Sequence, residues 1–208
     1  MRSRLPWIIV LAAVFAALGL WLGAKVAQAP RGDGPKTALV YPAAREIPPF
    51  ELERADGGKL ANADLQGAWT LLFFGYTHCP DVCPTTLGTM KQVEALLAKD
   101  PAAAPVNVVF VSVDPERDTA KALSEYVGYF SKRFVAATAD NATLQSLASA
   151  VGVVFIKSPQ AGGDYTMDHT ASLLVVDPQA RLHALFRPPF DAGAIAEDLR
   201  TLAKENPR

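Results

Sequence analysis

Cysteine is nearly absent from this chain: 208 residues hold two, Cys79 and Cys83. So small a supply excludes a disulfide-stapled scaffold. Histidine is almost as scarce, with His78, His169 and His183 making up the three. Neither sign of charge dominates, at 20 basic and 21 acidic residues. The first 35 residues hold Arg2, Arg4, Lys25 and Arg31 against Asp33, which leaves 16 basic and 20 acidic residues, a net of −4, for the remainder. That mild acidity is no nucleic-acid footprint, and no nucleic-acid partner is expected. Internal repeats and low-complexity tracts are missing beyond residue 50.

The chemistry is concentrated in Thr77-His78-Cys79-Pro80-Asp81-Val82-Cys83-Pro84, which follows the apolar run Leu71-Leu72-Phe73-Phe74-Gly75. Both cysteines stand where a strand pattern gives way to a helix pattern. Two thiols that close can hold a soft metal, form a disulfide, or do both in turn. A structural bond is the plain alternative, but one that closes so short a loop constrains the unfolded chain least.

At the N-terminus, Arg2 and Arg4 precede an uncharged run from Leu5 to Ala24. At about 1.5 Å per helical residue the run is long enough to cross a hydrocarbon core of roughly 30 Å. Trp7 and Trp21 sit near its ends, where interfacial aromatics belong, and the basic flank argues for a cytoplasmic N-terminus. A cleaved signal peptide is the rival, with Ala27-Gln28-Ala29 as its cleavage box. The run is longer than the usual signal core of about 7–15 residues, and Pro30 fits a peptidase poorly. The expected organisation is therefore a cytoplasmic segment 1–4, a transmembrane anchor 5–24, a tether 25–45 rich in Pro, Ala and Gly, and one domain over 46–208.

Within the domain, strand and helix patterns alternate. A hairpin turns at Asp56-Gly57-Gly58, between residues 50–52 and 59–61. Continuous apolarity marks buried strands at 69–75 and 106–113. Helical spacing covers 85–99, 119–130 and 141–151, with short strands at 134–136 and from 153. A strand pair, 171–176 and 181–186, surrounds Asp177-Pro178-Gln179-Ala180, and a helix over 191–204 follows. The expected class is α/β: a thioredoxin-like mixed sheet flanked by helices, joined to an N-terminal transmembrane helix.

Three blocks together resemble the Sco/SenC family of membrane-anchored copper proteins: residues 77–84, then Ser112-Val113-Asp114-Pro115-Glu116-Arg117-Asp118-Thr119, then Asp168-His169-Thr170-Ala171. The resemblance runs from about Ala43 to Leu202. It implies a copper site made by Cys79, Cys83 and His169. It also implies a metallochaperone that delivers copper to the binuclear copper centre of cytochrome c oxidase subunit II, with another periplasmic copper chaperone as the donor. The location implied is the inner membrane, crossed once, with the C-terminal domain in the periplasm.

The residue chemistry agrees with that implication. Thiolates suit Cu(I), and imidazole suits either copper state. Cys83 is expected in the first turn of a helix, whose free N–H groups favour a thiolate, with Cys79 on the loop just before. Cys2His fills a trigonal Cu(I) shell and leaves Cu(II) one exchangeable position; zinc is also compatible with it. His169 would stand at the start of the strand 171–176. On an extended segment His78 points away from Cys79, and His183 reads as a solvated residue. Asp81 and Asp168 are either tuning residues or simple turn and strand-end residues. Residues 114–119 are at least a turn with a helix N-cap. The functional alternative is a thiol–disulfide oxidoreductase whose redox pair is Cys79 and Cys83. A peroxiredoxin is disfavoured, because Leu72 and Tyr76 occupy the positions where its Pro and Thr would stand.

Overall fold

The computed structural model describes residues 7, 11, 13–21, 34–101, 103–160 and 162–206. Residues 35–208 form one compact unit. Residues 13–21 are helical and belong to a separate unit. Much of the expected anchor, and all of the Ala27-Gln28-Ala29-Pro30 segment, lies outside the described residues. Among the described residues no helix is long and apolar enough to cross a membrane.

Among its described residues the domain carries ten strands: β1 Leu39–Glu46, β2 Glu51–Arg54, β3 Lys59–Ala61, β4 Trp69–Gly75, β5 Val106–Ser112, β6 Val135–Thr138, β7 Phe155–Pro159, β8 Tyr165–His169, β9 Leu173–Val176 and β10 Arg181–Phe186. Four α-helices accompany them: α1 Val82–Leu97, α2 Ala120–Phe130, α3 Asn141–Val151 and α4 Ala192–Glu205. Eight strands make one sheet in the order β1-β10-β9-β4-β5-β6-β2-β3. Its centre, β4-β5-β6, is parallel, and the outer neighbours β9, β10 and β2 are antiparallel. This is the expected mixed α/β sheet of the thioredoxin-like class.

Continuous apolarity makes β4 central: all seven of its residues are buried. In register beside it, Phe73 faces Phe110 across the parallel pair. On α1 the buried residues Cys83, Thr86, Leu87, Met90, Val93 and Leu97 recur at helical spacing, and the helix packs against α2 and α4. Each such fully buried Leu or Phe contributes about 1.5–3 kcal/mol of transfer free energy. Side-chain caps start the other helices. Thr119, Asp140 and Asp191 accept the N–H groups of Ala122, Thr143 and Ala194, and Gly152 closes α3 in the left-handed conformation at φ 78°.

Three features depart from the sequence reading. The stretch assigned to the end of the tether is strand β1, an edge strand paired with β10. Pro42 and a mostly exposed side-chain pattern hide it, and both are tolerated only at a sheet edge or irregularity. Its register breaks between Val40 and Arg45. The chain is docked even earlier, because the buried Asp198 carboxylate accepts the N–H groups of Lys36, Thr37 and Ala38 at 2.7, 2.7 and 2.8 Å. Second, β7 and β8 form a hairpin of their own, apart from the main sheet, with Phe155 opposite His169. Third, His183 is buried and not solvated. It lies edge-on to Trp69, with ring centroids 5.2 Å apart, because β10 is covered on both sides.

Candidate metal centre

Strand β4 delivers the chain to the site. Its last residue, Gly75, leaves the space in which Cys83 packs: an added Cβ would lie 2.8 Å from Cys83 Sγ and 2.8 Å from Phe110 Cε2. The next turn is held from below by Asp118, which is 1% exposed. Thr77 donates to that carboxylate through its N–H at 3.0 Å and its hydroxyl at 2.5 Å. Ser112 donates a third bond at 2.6 Å. Burying this charge is tolerable because donors surround it. Asp118 is therefore more than part of a turn and helix cap. It fixes the segment that enters the cysteine loop.

Cys79 sits on the loop, and α1 begins at Val82, three residues earlier than its apolar spacing suggests. That start places Cys83 second and Pro84 third in the helix, where a missing N–H costs no hydrogen bond. Asp81 occupies the N-cap position but makes no side-chain cap bond; its carboxylate accepts from Thr85 Oγ1 at 3.3 Å. The free helical N–H goes to sulfur instead, and Cys83 N donates to Cys79 Sγ at 3.3 Å.

The helix terminus thus stabilises a thiolate at Cys79, whereas the sequence reading assigned that effect to Cys83. The hydrogen bond from the Cys83 thiol is the main cause that brings the Cys79 pKa down to about 4. Burial opposes it, and the backbone N–H groups of Cys83 and Asp81 assist. Cys83 is pushed up, first because it donates to Cys79 and second because it is fully buried.

His169 is the last residue of β8, not the first of the following strand. Its Nε2 lies 3.5 Å from Cys83 Sγ, and its Nδ1 lies 3.2 Å from the Thr170 carbonyl oxygen. A carbonyl only accepts, so Nδ1 carries the proton and the Nε2 lone pair faces the cysteines. Phe73 and Tyr76 hold the ring edge-on at centroid distances of 5.9 and 6.1 Å.

The structure brings together all three residues singled out from the sequence. One ligand atom each from Cys79, Cys83 and His169 lies within 4.8 Å of the others. Donors that share one ion at about 2.0–2.3 Å stand roughly 3.5–4 Å apart, so the cluster closes on a metal with little movement. Its donor set is soft and holds no carboxylate, which fits copper. His78 is outside the cluster, exposed, with Nδ1 3.7 Å from Asp118 Oδ1. Asp168 is exposed and accepts from the Ser158 hydroxyl.

Sequence reasoning missed Gly75, Asp118 and the aromatic frame of Phe73 and Tyr76. It also left the second block without a role, although that block is bonded to the hairpin carrying His169. Arg117 Nε donates to Asp114 Oδ2 at 2.6 Å, and Tyr165 Oη donates to Asp114 Oδ1 at 2.8 Å.

Comparison with known proteins points one way. The SCO1/SenC family model matches residues 40–204. The SCO2 homologue of Bos taurus, a mitochondrial protein, is 31% identical over 202 residues, which are 96% of this chain and 75% of that protein. The structure of Bradyrhizobium japonicum ScoI with copper bound superposes with a TM-score of 0.67 at 38% identity, covering 74% of this chain and 97% of that one. Arabidopsis thaliana ScoI with copper bound gives a TM-score of 0.72 at 30% identity, over 76% and 98% of the two chains.

Proposed function

This chain belongs to the SCO1/SenC family, and we propose that it is a copper metallochaperone for cytochrome c oxidase assembly. Cys79, Cys83 and His169 are the copper ligands in this reading. The recipient is the binuclear copper centre of oxidase subunit II, and a periplasmic copper chaperone is the donor. Residues 5–24 anchor the chain in the inner membrane with the domain in the periplasm.

The observation that carries the reading is the convergence of two sulfurs and one bare imidazole nitrogen just beyond the end of β4. Cys79 and His169 are half-buried and Cys83 is buried. An ion held there is gripped from below by one thiol and is reachable from outside past the other two groups. Capture followed by release needs that combination. Copper supplies the affinity for thiolate, and the protein supplies deprotonated sulfur, a fixed imidazole tautomer and a dry floor.

The same pair supports a second reading, a thiol–disulfide oxidoreductase. The Cys79 thiolate would attack a partner's disulfide and release one partner thiolate. Cys83 would then displace the second, leaving an intramolecular disulfide and a reduced partner. The stabilised thiolate at Cys79 beside a protonated Cys83 favours that order of attack.

Serine variants test the metal reading. Replacing Cys79 or Cys83 by Ser exchanges a soft thiolate for a protonated hydroxyl. Each variant is expected to fold and to lose stoichiometric copper, measured by metal analysis after gel filtration. A single-serine variant that retains one tightly held copper would remove that cysteine from the ligand set.

A further inference from the structure

His169 stands at the end of a hairpin that, among the described residues, no backbone ladder joins to the main sheet. A two-stranded hairpin is marginally stable alone. Its placement over β4 therefore depends on side chains: Phe155 and Met167 are buried in the core, Phe73 and Tyr76 frame His169, and the charged and hydroxyl bonds are concentrated at the far end. Tyr165, Met167 and His169 alternate along β8 and share one face. Met167 is buried at the middle of that face. Tyr165 lies four residues from His169, about 14 Å away at ~3.4 Å per strand residue.

The fixing point is the loop between β5 and α2. Asp114, 2% exposed, accepts Arg117 Nε on one carboxylate oxygen and Tyr165 Oη on the other. Arg117 returns to the hairpin through Nη1, which donates to the Tyr165 carbonyl at 3.0 Å and to Asp164 Oδ1 at 3.1 Å. Its guanidinium also stacks on the Tyr165 ring, 3.6 Å from the centroid. Lys157 on β7 covers the same ring at 3.9 Å and pairs with Glu116 at 2.6 Å. Tyr165 is therefore gripped at its hydroxyl, its carbonyl and its ring by a loop that the main sheet holds rigid.

We infer that Asp114, Arg117 and Tyr165 form a clamp that sets the position of His169, which makes Arg117 a positioning residue for the copper site. The planar guanidinium reaches carboxylate and carbonyl together, which the single ammonium of a lysine cannot reproduce. None of the three is a ligand. They act by holding the far end of a lever whose near end is the imidazole. The inference rests on the reading of His169 as a copper ligand.

A double-mutant cycle tests it, with Cu(II) and Cu(I) affinities read by competition titration. Arg117→Ala should weaken Cu(II) by roughly 10–100-fold, the range for partners that orient a metal ligand. Cu(I) should change little, because two thiolates hold it alone. Tyr165→Phe, which keeps the ring and loses one hydrogen bond, should give a smaller loss of the same kind. In a His169→Ala background Arg117→Ala should cost nothing more. Without metal, Arg117→Ala should speed amide exchange over residues 155–158 and 165–169 and leave β4 and α1 unchanged. A further loss of Cu(II) affinity in the His169→Ala background, or unaltered hairpin exchange, would overturn the clamp alone. Unchanged Cu(II) affinity in His169→Ala itself would overturn the ligand reading and the clamp with it.

Discussion

The sulfur of Cys79 accepts the backbone N–H of Cys83 at 3.3 Å, so a thiolate takes the place of an oxygen cap at the start of α1. The two thiols are unlike: Cys79 is half-exposed and drawn toward the thiolate, chiefly by the Cys83 thiol bond, and Cys83 is buried and held toward the thiol. Only thiolates alkylate at useful rates. With the Cys79 pKa brought down to about 4, chiefly by the Cys83 thiol bond, its alkylation by iodoacetamide should be nearly independent of pH above about 6. Cys83 should stay unmodified in the folded, metal-free protein. Peptide mapping after brief labelling reads both. A Cys79 rate that climbs through pH 8–9 like that of a free thiol would contradict the assignment.

Gly75 sets how closely β4 approaches that pair. A methyl group at this position would meet Cys83 Sγ and Phe110 Cε2 at 2.8 Å each, inside contact distance. Overpacking of this kind costs about 1–3 kcal/mol. Gly75→Ala should lower Tm and weaken Cu(I) and Cu(II) alike, because it displaces a sulfur that both states use. That pattern separates it from Arg117→Ala, whose loss falls on Cu(II). A Gly75→Ala protein with unchanged Tm and copper affinity would show that the floor of the site yields without cost.

The cysteine loop was legible because two independent patterns meet there, an apolar strand and an amphipathic helix, with turn residues between them. The central strands were legible for the same reason. Strand β8 was not, since Tyr165-Thr166-Met167-Asp168-His169 alternates weakly and has one partner strand instead of two. Given no strand of its own, the stretch left His169 one element late, at the start of the strand 171–176, without changing its role. Strand β1 was hidden by Pro42 and by exposure. The bonds from Asp118 to Thr77 and from Asp114 to Tyr165 span 41 and 51 residues. No local pattern encodes such pairings. The identity of the ionised cysteine depends on which sulfur faces the free N–H, and spacing alone does not decide that.

Asp198 makes a separate prediction about acid stability. Burial alone would raise its carboxyl pKa, but the Thr37 hydroxyl and the N–H groups of Lys36, Thr37 and Ala38 outweigh burial and hold it below the usual carboxylate range. A group depressed in the folded state contributes stability that is complete above its unfolded pKa of about 3.9 and is lost as pH falls through the folded value. Asp198→Asn should therefore cost about 1–3 kcal/mol at pH 7, the cost of weakening a buried charged acceptor. The difference from the parent should shrink below about pH 4. Urea unfolding at pH 7 and pH 3 compares them, and an equal difference at both would show that the charge is not what matters.

The same docking of residues 36–38 fixes where an anchorless chain can begin. A protein of residues 34–208 keeps every bond to Asp198 and should fold and bind one copper, because no ligand precedes Cys79. Exported without residues 1–33 in a strain lacking the full-length protein, it should restore oxidase activity less well at limiting copper. Anchoring confines a donor to the membrane of its recipient and raises the effective concentration of each for the other. Excess copper should erase the defect if metal delivery is the role, since free metal bypasses a donor. A defect that persists in excess copper would favour the thiol–disulfide reading, because metal does not reduce a disulfide. Equal rescue at limiting copper and matched expression would show the anchor to be dispensable.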